Sequence, residues 1–303
     1  RTSVRKSRLG RLPTPHTRPA RRRNTVLADR MLFCVTMLAL FSASSTRAFV
    51  LSASPRRFLA YVARPSTVVE GEAGTESYKQ YFVDDAGAKI SPWHDVPMQP
   101  EGAAKDVFNM VTEIPKMGKA KMEVATKDEA NPIVQDVKKG ALRFYHGPIF
   151  WNYGCLPQTW ENPNEEHPDL KCFGDDDPID VVEIGSAALE AGSVTPVKAL
   201  GVLAMIDDGE LDWKVIAIAE SDPLFAELDD VADVEAKCPG VVSGIREWFR
   251  WYKTPDDKPI NAFGFDEACL PKAKAIEVIQ ETHAAWKGLK SGDIEKGKLW
   301  TGE

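Results

Sequence analysis

Cysteine and histidine are scarce in this chain, which has five residues of each among 303. The cysteines, at positions 34, 155, 172, 238 and 269, form no CxxC pair and have no regular spacing, so neither a disulfide framework nor a zinc site is indicated. The histidines do not cluster in the sequence. Sites for zinc, copper or iron are therefore not predicted, and a reducing compartment is the default.

Long hydrophobic runs are also missing, and the apolar run at residues 32–41 is too short to span a membrane. It has the length of a signal-peptide core, and small residues up to Ala48 offer a cleavage site after it. We expect Met31 to be the true start, residues 1–30 to be translated upstream sequence, and the first cut to follow Ala48.

Acidic residues are almost absent from residues 1–64, where fourteen lysines and arginines accompany Asp29 alone. Residues 49–57 are rich in serine and arginine, which is typical of transit peptides. A signal core followed by a small residue, Phe49 and a basic stretch resembles the two-part plastid leaders of algae whose plastids lie inside extra membranes. The resemblance implies a targeting leader at residues 1–64, a location in the plastid stroma and no stable membrane association after processing. Mitochondrial import and secretion stay open.

The rest of the chain is short of positive charge, with 24 basic and 44 acidic residues. Nucleic-acid binding needs a basic surface, so this balance argues against it. It is the balance expected of a protein that binds several divalent cations.

The densest acidic stretch, residues 174–183, has four aspartates within six positions. Two like charges about 4 Å apart repel by roughly 4 kcal/mol at an effective dielectric of about 20, so a positive charge is expected among them. Carboxylates suit magnesium, calcium or manganese, and the stretch has no His or Cys. Pro178 favours extended backbone at Asp177, which would turn Asp175 and Asp177 to one side with Asp180 close by. A solvated turn stays open, whereas the spacing does not suit an EF-hand loop.

The order of apolar segments predicts a mainly β protein with helices, in the α+β class. An irregular arm at residues 65–106, with one strand near 77–83, precedes a body that begins at Val107. Strands are predicted at residues 107–114, 120–124, 141–145, 181–184, 194–206 and 213–219, the last three as an antiparallel meander. Helices are predicted at residues 239–253 and in a second segment that passes His283 and ends around Gly288.

Charged residues alternate along several of the predicted strands. Lys121 and Glu123 fall on one face by the two-residue period, and so do Asp212 and Lys214. Hairpin chemistry accounts for Asp208 in the preceding turn, but not for the charges that enter the next strand. Solvated strand edges are the simpler interpretation of each pair taken alone.

Together, these segments resemble the soluble family I inorganic pyrophosphatases of the eukaryotic type, from about Val107 to Lys290. The matching segments are too numerous, and occur in the same order too consistently, for a chance agreement. Beside the aspartate stretch, the matching residues are Glu113-Ile114-Pro115, Lys121, Glu123, Asn131-Pro132-Ile133, Gln135-Asp136, Leu142-Arg143-Phe144, Asn152-Tyr153-Gly154, Pro157-Gln158-Thr159-Trp160, Asp212-Trp213-Lys214-Val215-Ile216-Ala217-Ile218, Glu247-Trp248-Phe249-Arg250 and Tyr252-Lys253.

The resemblance implies a five-stranded closed β-barrel of OB-like form with two C-terminal helices and long loops, in a catalytic domain at residues 107–303. It also implies hydrolysis of inorganic diphosphate to two phosphates by a metal-bound water, which draws biosynthetic reactions forward. Several Mg²⁺ ions would act in each site, and diphosphate would bind as its magnesium complex.

Residue roles follow from the same resemblance. The implied metal ligands are Asp175, Asp180 and Asp212, with Asp207 and Glu123 for further ions, and the implied general base is Asp177. The implied contacts are Lys121 and Tyr153 to the phosphoryl group under attack, Arg143, Tyr252 and Lys253 to the leaving phosphate, and Lys214 to the substrate. The surrounding polar network would include Glu113, Asp136 and Lys258.

Two positions depart from the family pattern. Ile149 stands where fungal and animal enzymes carry Tyr, and Met117 replaces an aromatic residue that helps to pair their subunits. The resemblance implies a homodimer, and these departures leave a monomer open. Two rival functions are a non-catalytic diphosphate sensor, which would release no phosphate, and an acidic calcium buffer, which would bind calcium without turnover.

Overall fold

The computed structural model describes residues 65–302, and the predictions for the leader lie outside this range. The strands are β1 (Ser66–Glu70), β2 (Lys79–Val83), β3 (Lys89–Ile90), β4 (Val107–Ile114), β5 (Met122–Val124), β6 (Ile133–Gln135), β7 (Val137–Lys138), β8 (Ala141–Leu142), β9 (Asn152–Cys155), β10 (Phe173–Gly174), β11 (Asp180–Glu183), β12 (Val194–Asp207), β13 (Glu210–Ala219), β14 (Ala262–Phe263) and β15 (Leu270–Pro271). The helices are α1 (Val231–Lys237), α2 (Val241–Trp251) and α3 (Lys272–Ser291), with 3₁₀ turns at Thr254–Asp256 and Phe265–Glu267. Among these described helices, none combines the length and the apolar character that crossing a membrane requires.

Five strands form a closed circuit of hydrogen-bonded pairs. β4 pairs with β9, β9 with β11, β13 with β12, and β12 with β4, all antiparallel, whereas β11 and β13 are parallel. This arrangement confirms the mainly β class with helices. The predicted meander is wrong in one part, because β11 pairs with β9 and β13 and not with β12.

A bulge in β12 decides which side chains share a face. The register between β12 and β13 shifts by one residue between Ala199 and Gly201, and beyond the shift Met205 pairs with Asp212. A shift of one residue turns every later side chain to the opposite face of the strand. The bulge therefore places Asp207 on the same face as Asp212.

Alternation along β13 sends its side chains to two layers. Trp213 and Val215 join the core cluster that packs against α3, whereas Ile216 joins the cluster that packs against α2. Asp212 and Lys214 share the face of Ile216 by the same two-residue period. Both charged residues are buried, so the fold must supply them with partners.

Helix α3 continues past Gly288, where the sequence predicted its end, and stops at Ser291. Gly288 serves packing, because a Cβ at this position would lie 2.8 Å from Ile294. The glycine that ends the helix is Gly292, with a φ of 80°.

Helix α1 was not predicted. It begins with a capping box between Asp230 and Asp233, but Val234 is its only buried residue. Because one buried position gives no helical periodicity, the sequence pattern did not reveal the helix.

The arm is more regular than predicted. β2 pairs with β1 and β3, and it continues to β6 through Gln80 and Ile133. β6 in turn pairs with β5, the strand that carries Glu123. Trp93 and Met98 of the arm are buried in two core clusters shared with the body. The arm is thus packed onto the strands that follow it.

His94 is a buried arm residue whose tautomer is set by two partners. Trp286 Nε1 donates to its Nδ1 at 2.8 Å, so its Nε2 donates to the Trp300 carbonyl oxygen at 2.9 Å. Burial lowers the pKa of His94 to about 4. The unfolded chain takes up a proton at this residue near pH 6.5, whereas the folded chain does not. The free energy of unfolding should therefore fall as the pH drops from about 6.5 towards 4, by up to about 3 kcal/mol.

Urea unfolding between pH 7 and pH 4.5 measures this contribution. In His94→Gln the amide offers an acceptor and a donor to the same two tryptophans, but it does not titrate. The variant should show a shallower pH dependence, while the carboxylates titrate alike in both proteins. Equal pH slopes for the two proteins would contradict the assignment.

Candidate active site

A cleft of about 280 Å³ lies against β4, β5, β11, β12 and β13. Nearly all residues that the sequence predicted for the site line it: Glu113, Lys121, Glu123, Arg143, Tyr153, Asp175, Asp177, Asp180, Asp207, Asp212, Lys214, Tyr252, Lys253 and Lys258. Asp136 is the exception, and it contacts two of these residues from outside the cleft wall.

The turn between β10 and β11 presents two aspartates to the cleft and uses a third to hold itself. Asp176 has a φ of 73°, and its carboxylate accepts a hydrogen bond from Trp160 Nε1 at 3.1 Å. Asp175 and Asp177 on either side line the cleft. The Asp177 N–H donates to Asp175 Oδ1 at 3.1 Å, and Thr126 Oγ1 lies 3.4 Å from Asp177 Oδ1.

Burial, together with neighbouring negative charges, raises the pKa of these carboxyl groups. Burial and the charges of Asp212 and Asp177 raise the pKa of Asp175 well above its usual range. Burial, with a contribution from Asp180, also raises the pKa of Asp177 and that of Asp212 to about 7. A cation among these groups would favour their ionised forms.

The ammonium of Lys214 lies among these carboxylates, and the residue is only 1% exposed. It donates to Asp180 and Asp212, and its Nζ lies 3.3 Å from the hydroxyl of Tyr153, which also bonds Asp180. Burial opposes the charge, but Asp180 and Asp212 raise the pKa of Lys214 well above its usual value. The parallel pairing of β11 and β13 places Asp180 opposite Lys214, so this network depends on that pairing.

Asp136 joins two cations of the cleft. Its carboxylate accepts hydrogen bonds from Arg143 and, at 3.2 Å, from Lys121, which also bonds Glu123. Burial opposes ionisation of Asp136, but the two cations outweigh it and lower its pKa. Asp136 thereby positions both cations without entering the cleft.

Asp207 and Asp208 hold a second group of donors. The Tyr252 hydroxyl donates to Asp207 Oδ2 at 2.9 Å, and Lys253 bonds the other oxygen. Asp208 accepts from Lys253 at 3.1 Å and from Lys258 at 2.7 Å. With a φ of 51°, Asp208 is the turn residue that the hairpin pattern predicted, but its carboxylate also positions two lysines.

Glu113 lies where the register between β4 and β9 shifts by one residue. It is buried, and its Oε1 accepts the Val124 N–H at 2.8 Å, which ties β4 to β5 beside the cleft. Burial raises the pKa of Glu113 well above its usual range.

Sequence reasoning missed Glu161. One oxygen from each of Glu161, Asp175 and Asp212 lies within 4.8 Å of the other two, the spacing of a candidate metal site in the described part of the chain. Oxygen ligands of this kind suit a hard divalent cation. Glu161 lies in a loop that follows Trp160, where no strand or helix period singles out its carboxylate.

Comparison with known proteins identifies the family. Residues 110–287 match the inorganic pyrophosphatase family. The chain belongs to the inorganic pyrophosphatase family. It is 46% identical to soluble inorganic pyrophosphatase 6, chloroplastic, of Arabidopsis thaliana over 258 residues, which cover 84% of this chain and 85% of that protein. It is 52% identical to soluble inorganic pyrophosphatase 1, chloroplastic, of Chlamydomonas reinhardtii over 223 residues, which cover 74% of this chain and 78% of that protein.

Solved structures agree with this assignment. The type I inorganic pyrophosphatase from Toxoplasma gondii matches with a TM-score of 0.71 and 52% identity, over 74% of this chain and 99% of that chain. The predicted recognition as a family I pyrophosphatase of the eukaryotic type is confirmed, and so is the OB-like fold. This pyrophosphatase hydrolyses inorganic diphosphate to two phosphates, as predicted. Metal dependence is general in the family, and the acidic cluster in the cleft agrees with it.

Proposed function

We propose that the cleft hydrolyses diphosphate with Mg²⁺ as its divalent cation. The proposed metal-holding residues are Asp175, Asp180 and Asp212, with Asp207 and Glu123 for further ions. The supporting observation is the convergence of carboxylates from separate segments around one buried ammonium, that of Lys214. Oxygen-only ligands suit Mg²⁺. When bound, the cations offset the negative charge of diphosphate and make water in the cleft more acidic.

Asp177 is the proposed general base. Its carboxylate lines the cleft beside Asp175, and its backbone N–H is held by that neighbour at 3.1 Å. An ionised carboxylate in this position accepts the proton of the water that attacks phosphorus. Asp177 therefore acts on a proton, whereas Asp175 acts on a cation.

The cations and tyrosines of the cleft bind the two phosphoryl groups. The proposed contacts are Lys121 and Tyr153 on the attacked group, Arg143, Tyr252 and Lys253 on the leaving phosphate, and Lys214 on the substrate. Asp136 and Asp207 orient several of these donors before the substrate arrives. Donors placed in advance stabilise the charge that develops on the bridging oxygen. Glu113 and Lys258 support the wall around them.

Purified full-length chain should release phosphate from diphosphate when Mg²⁺ is supplied, and a colorimetric phosphate assay measures this release. EDTA should abolish turnover, because the carboxylates then lack the ion that neutralises the substrate. Ca²⁺ should inhibit by displacing Mg²⁺. Tight calcium binding without turnover would favour a calcium buffer, and diphosphate binding without phosphate release would favour a sensor.

The proposed domain organisation is a leader at residues 1–64, an arm at residues 65–106 and a catalytic domain at residues 107–303. We propose a plastid location, which the basic leader and the two chloroplastic relatives support. Mass spectrometry of the mature protein should find an N-terminus beyond Ala48. A mature N-terminus upstream of Met31 would contradict the leader.

The subunit arrangement stays a prediction between a homodimer and a monomer. Met117, which replaces a subunit-pairing aromatic residue of the family, is 59% exposed in the single chain. Light scattering of the purified protein distinguishes the two states.

A further inference from the structure

Glu161 binds the aspartate turn through its backbone. Its N–H donates to the Asp177 carbonyl oxygen at 2.9 Å, and its carbonyl oxygen accepts the Asp176 N–H at 3.0 Å. This close approach requires glycine at position 174, since a Cβ there would lie 2.4 Å from the Glu161 carbonyl carbon. The position of Glu161 is therefore coupled to that of the turn that presents Asp175 and Asp177.

The carboxylate of Glu161 is satisfied at one oxygen only. Glu161 is 3% exposed, and its Oε1 accepts the Trp213 N–H at 2.9 Å. Its Oε2 is buried and has no hydrogen-bond partner among the described residues. Buried carboxylate oxygens are normally hydrogen-bonded or bound to a metal. Oε2 of Glu161 thus lacks the hydrogen-bond donor or metal ion that a buried carboxylate oxygen normally has.

The ammonium of Lys214 reaches this site through Asp212 but does not supply a partner to Glu161. The Lys214 ammonium donates to Asp180 and Asp212 and lies 3.3 Å from the Tyr153 hydroxyl, and within the described residues it makes no hydrogen bond to Glu161. One carboxylate oxygen of Glu161 lies within 4.8 Å of a carboxylate oxygen of Asp175 and of one of Asp212. Three carboxylates at this spacing, with one oxygen unpartnered, are suited to a divalent cation.

We propose that Glu161 is a further ligand of the Mg²⁺ ion held by Asp175 and Asp212, and that it contributes to the affinity for this ion. The inference rests on the proposed magnesium site. Trp213 fixes one oxygen of the carboxylate, so the other is oriented before the ion binds. A purely structural Glu161 would serve only as the acceptor for Trp213.

Glu161→Gln separates the two roles. The glutamine keeps an oxygen for the Trp213 N–H and removes the negative charge. Calorimetric titration of the full chain with MgCl₂, without diphosphate, measures the dissociation constant for Mg²⁺. We expect this constant to be about tenfold or more higher in Glu161→Gln than in the parent. In EDTA the thermal midpoint of the variant should equal or exceed that of the parent, because repulsion among three carboxylates is reduced.

Glu183→Gln is the matched control. Glu183 is also a buried glutamate, but Asn152 bonds its Oε2 at 2.7 Å, and the N–H groups of Gly185 and Ala219 bond its Oε1 at 2.8 Å each. Its replacement should lower the thermal midpoint in EDTA and leave Mg²⁺ affinity unchanged. Glu161→Gln should thus weaken Mg²⁺ binding without lowering the thermal midpoint, whereas Glu183→Gln should lower the thermal midpoint without weakening Mg²⁺ binding.

Glu161→Asp tests the proposal by a second route, should the glutamine variant fold poorly. Aspartate keeps the charge and should retain more Mg²⁺ affinity than glutamine does. Parent-like Mg²⁺ affinity in the glutamine variant, or equal affinities in the aspartate and glutamine variants, would overturn the role of Glu161 while the parent still binds Mg²⁺ and hydrolyses diphosphate. A parent chain that neither binds Mg²⁺ nor hydrolyses diphosphate would overturn this inference and the proposed function together.

Discussion

Asp177→Asn should lower kcat for diphosphate about a thousandfold and leave Mg²⁺ affinity within about threefold of the parent. The amide keeps the size of the side chain and can still accept the hydrogen bond from Thr126. It cannot take a proton from the attacking water, so the chemical step loses its base. Phosphate release at saturating Mg²⁺ gives kcat, and calorimetric titration with MgCl₂ gives the affinity.

Asp176→Asn is the control for this variant, because it makes the same chemical change one residue away. Asp176 bonds the Trp160 indole, and asparagine tolerates its left-handed φ of 73°. Its kcat should stay within about twofold of the parent. Asp177→Asn with parent-like kcat would refute Asp177 as the base, and equal losses in both variants would indicate damage to the turn.

Lys214→Met should lower the free energy of unfolding in EDTA by about 3–5 kcal/mol, because Asp180 and Asp212 lose the ammonium buried between them. Mg²⁺ should recover more than half of this loss, since the ion supplies positive charge to the same carboxylates. Urea unfolding in EDTA and in saturating MgCl₂ measures both quantities. Turnover should fall as well, because Lys214 also approaches Tyr153 at 3.3 Å.

Lys198→Met provides the comparison. Lys198 is also a buried lysine, but its Nζ donates to the Phe225 carbonyl oxygen at 2.6 Å and lies over the Phe225 ring. The decrease in the free energy of unfolding caused by Lys198→Met should be the same in EDTA and in saturating MgCl₂. A Mg²⁺ recovery of equal size in both variants would argue against a cation site at Asp180 and Asp212.

The sequence predicted those features of the site that depend only on neighbouring residues. Like-charge repulsion in the aspartate stretch before β11 predicted a positive charge among its side chains, and Pro178 predicted extended backbone at Asp177. The shared face of Asp212 and Lys214 follows from the two-residue period of a strand. The family resemblance then added residues such as Arg143 and Tyr252, which no local pattern connects with the turn.

Errors and omissions arose where distant contacts decide the outcome. The end of α3 was placed at Gly288 because glycine ends many helices, but packing against Ile294 requires glycine there and the chain turns at Gly292 instead. Helix α1 buries only Val234 and leaves no pattern. Glu161 was missed because only the folded chain brings its carboxylate close to those of Asp175 and Asp212.

The amino-acid sequence by itself determined the acidic body, the basic leader composition, the aspartate turn and the alternation of charge along β13. Only the tertiary structure decided that β11 lies parallel to β13, and that the bulge near Gly201 turns Asp207 to the face of Asp212. Side-chain period is a property of a few neighbouring residues and is therefore visible in the sequence. Pairing and register depend on contacts between segments far apart in the chain, and these form only when the barrel closes.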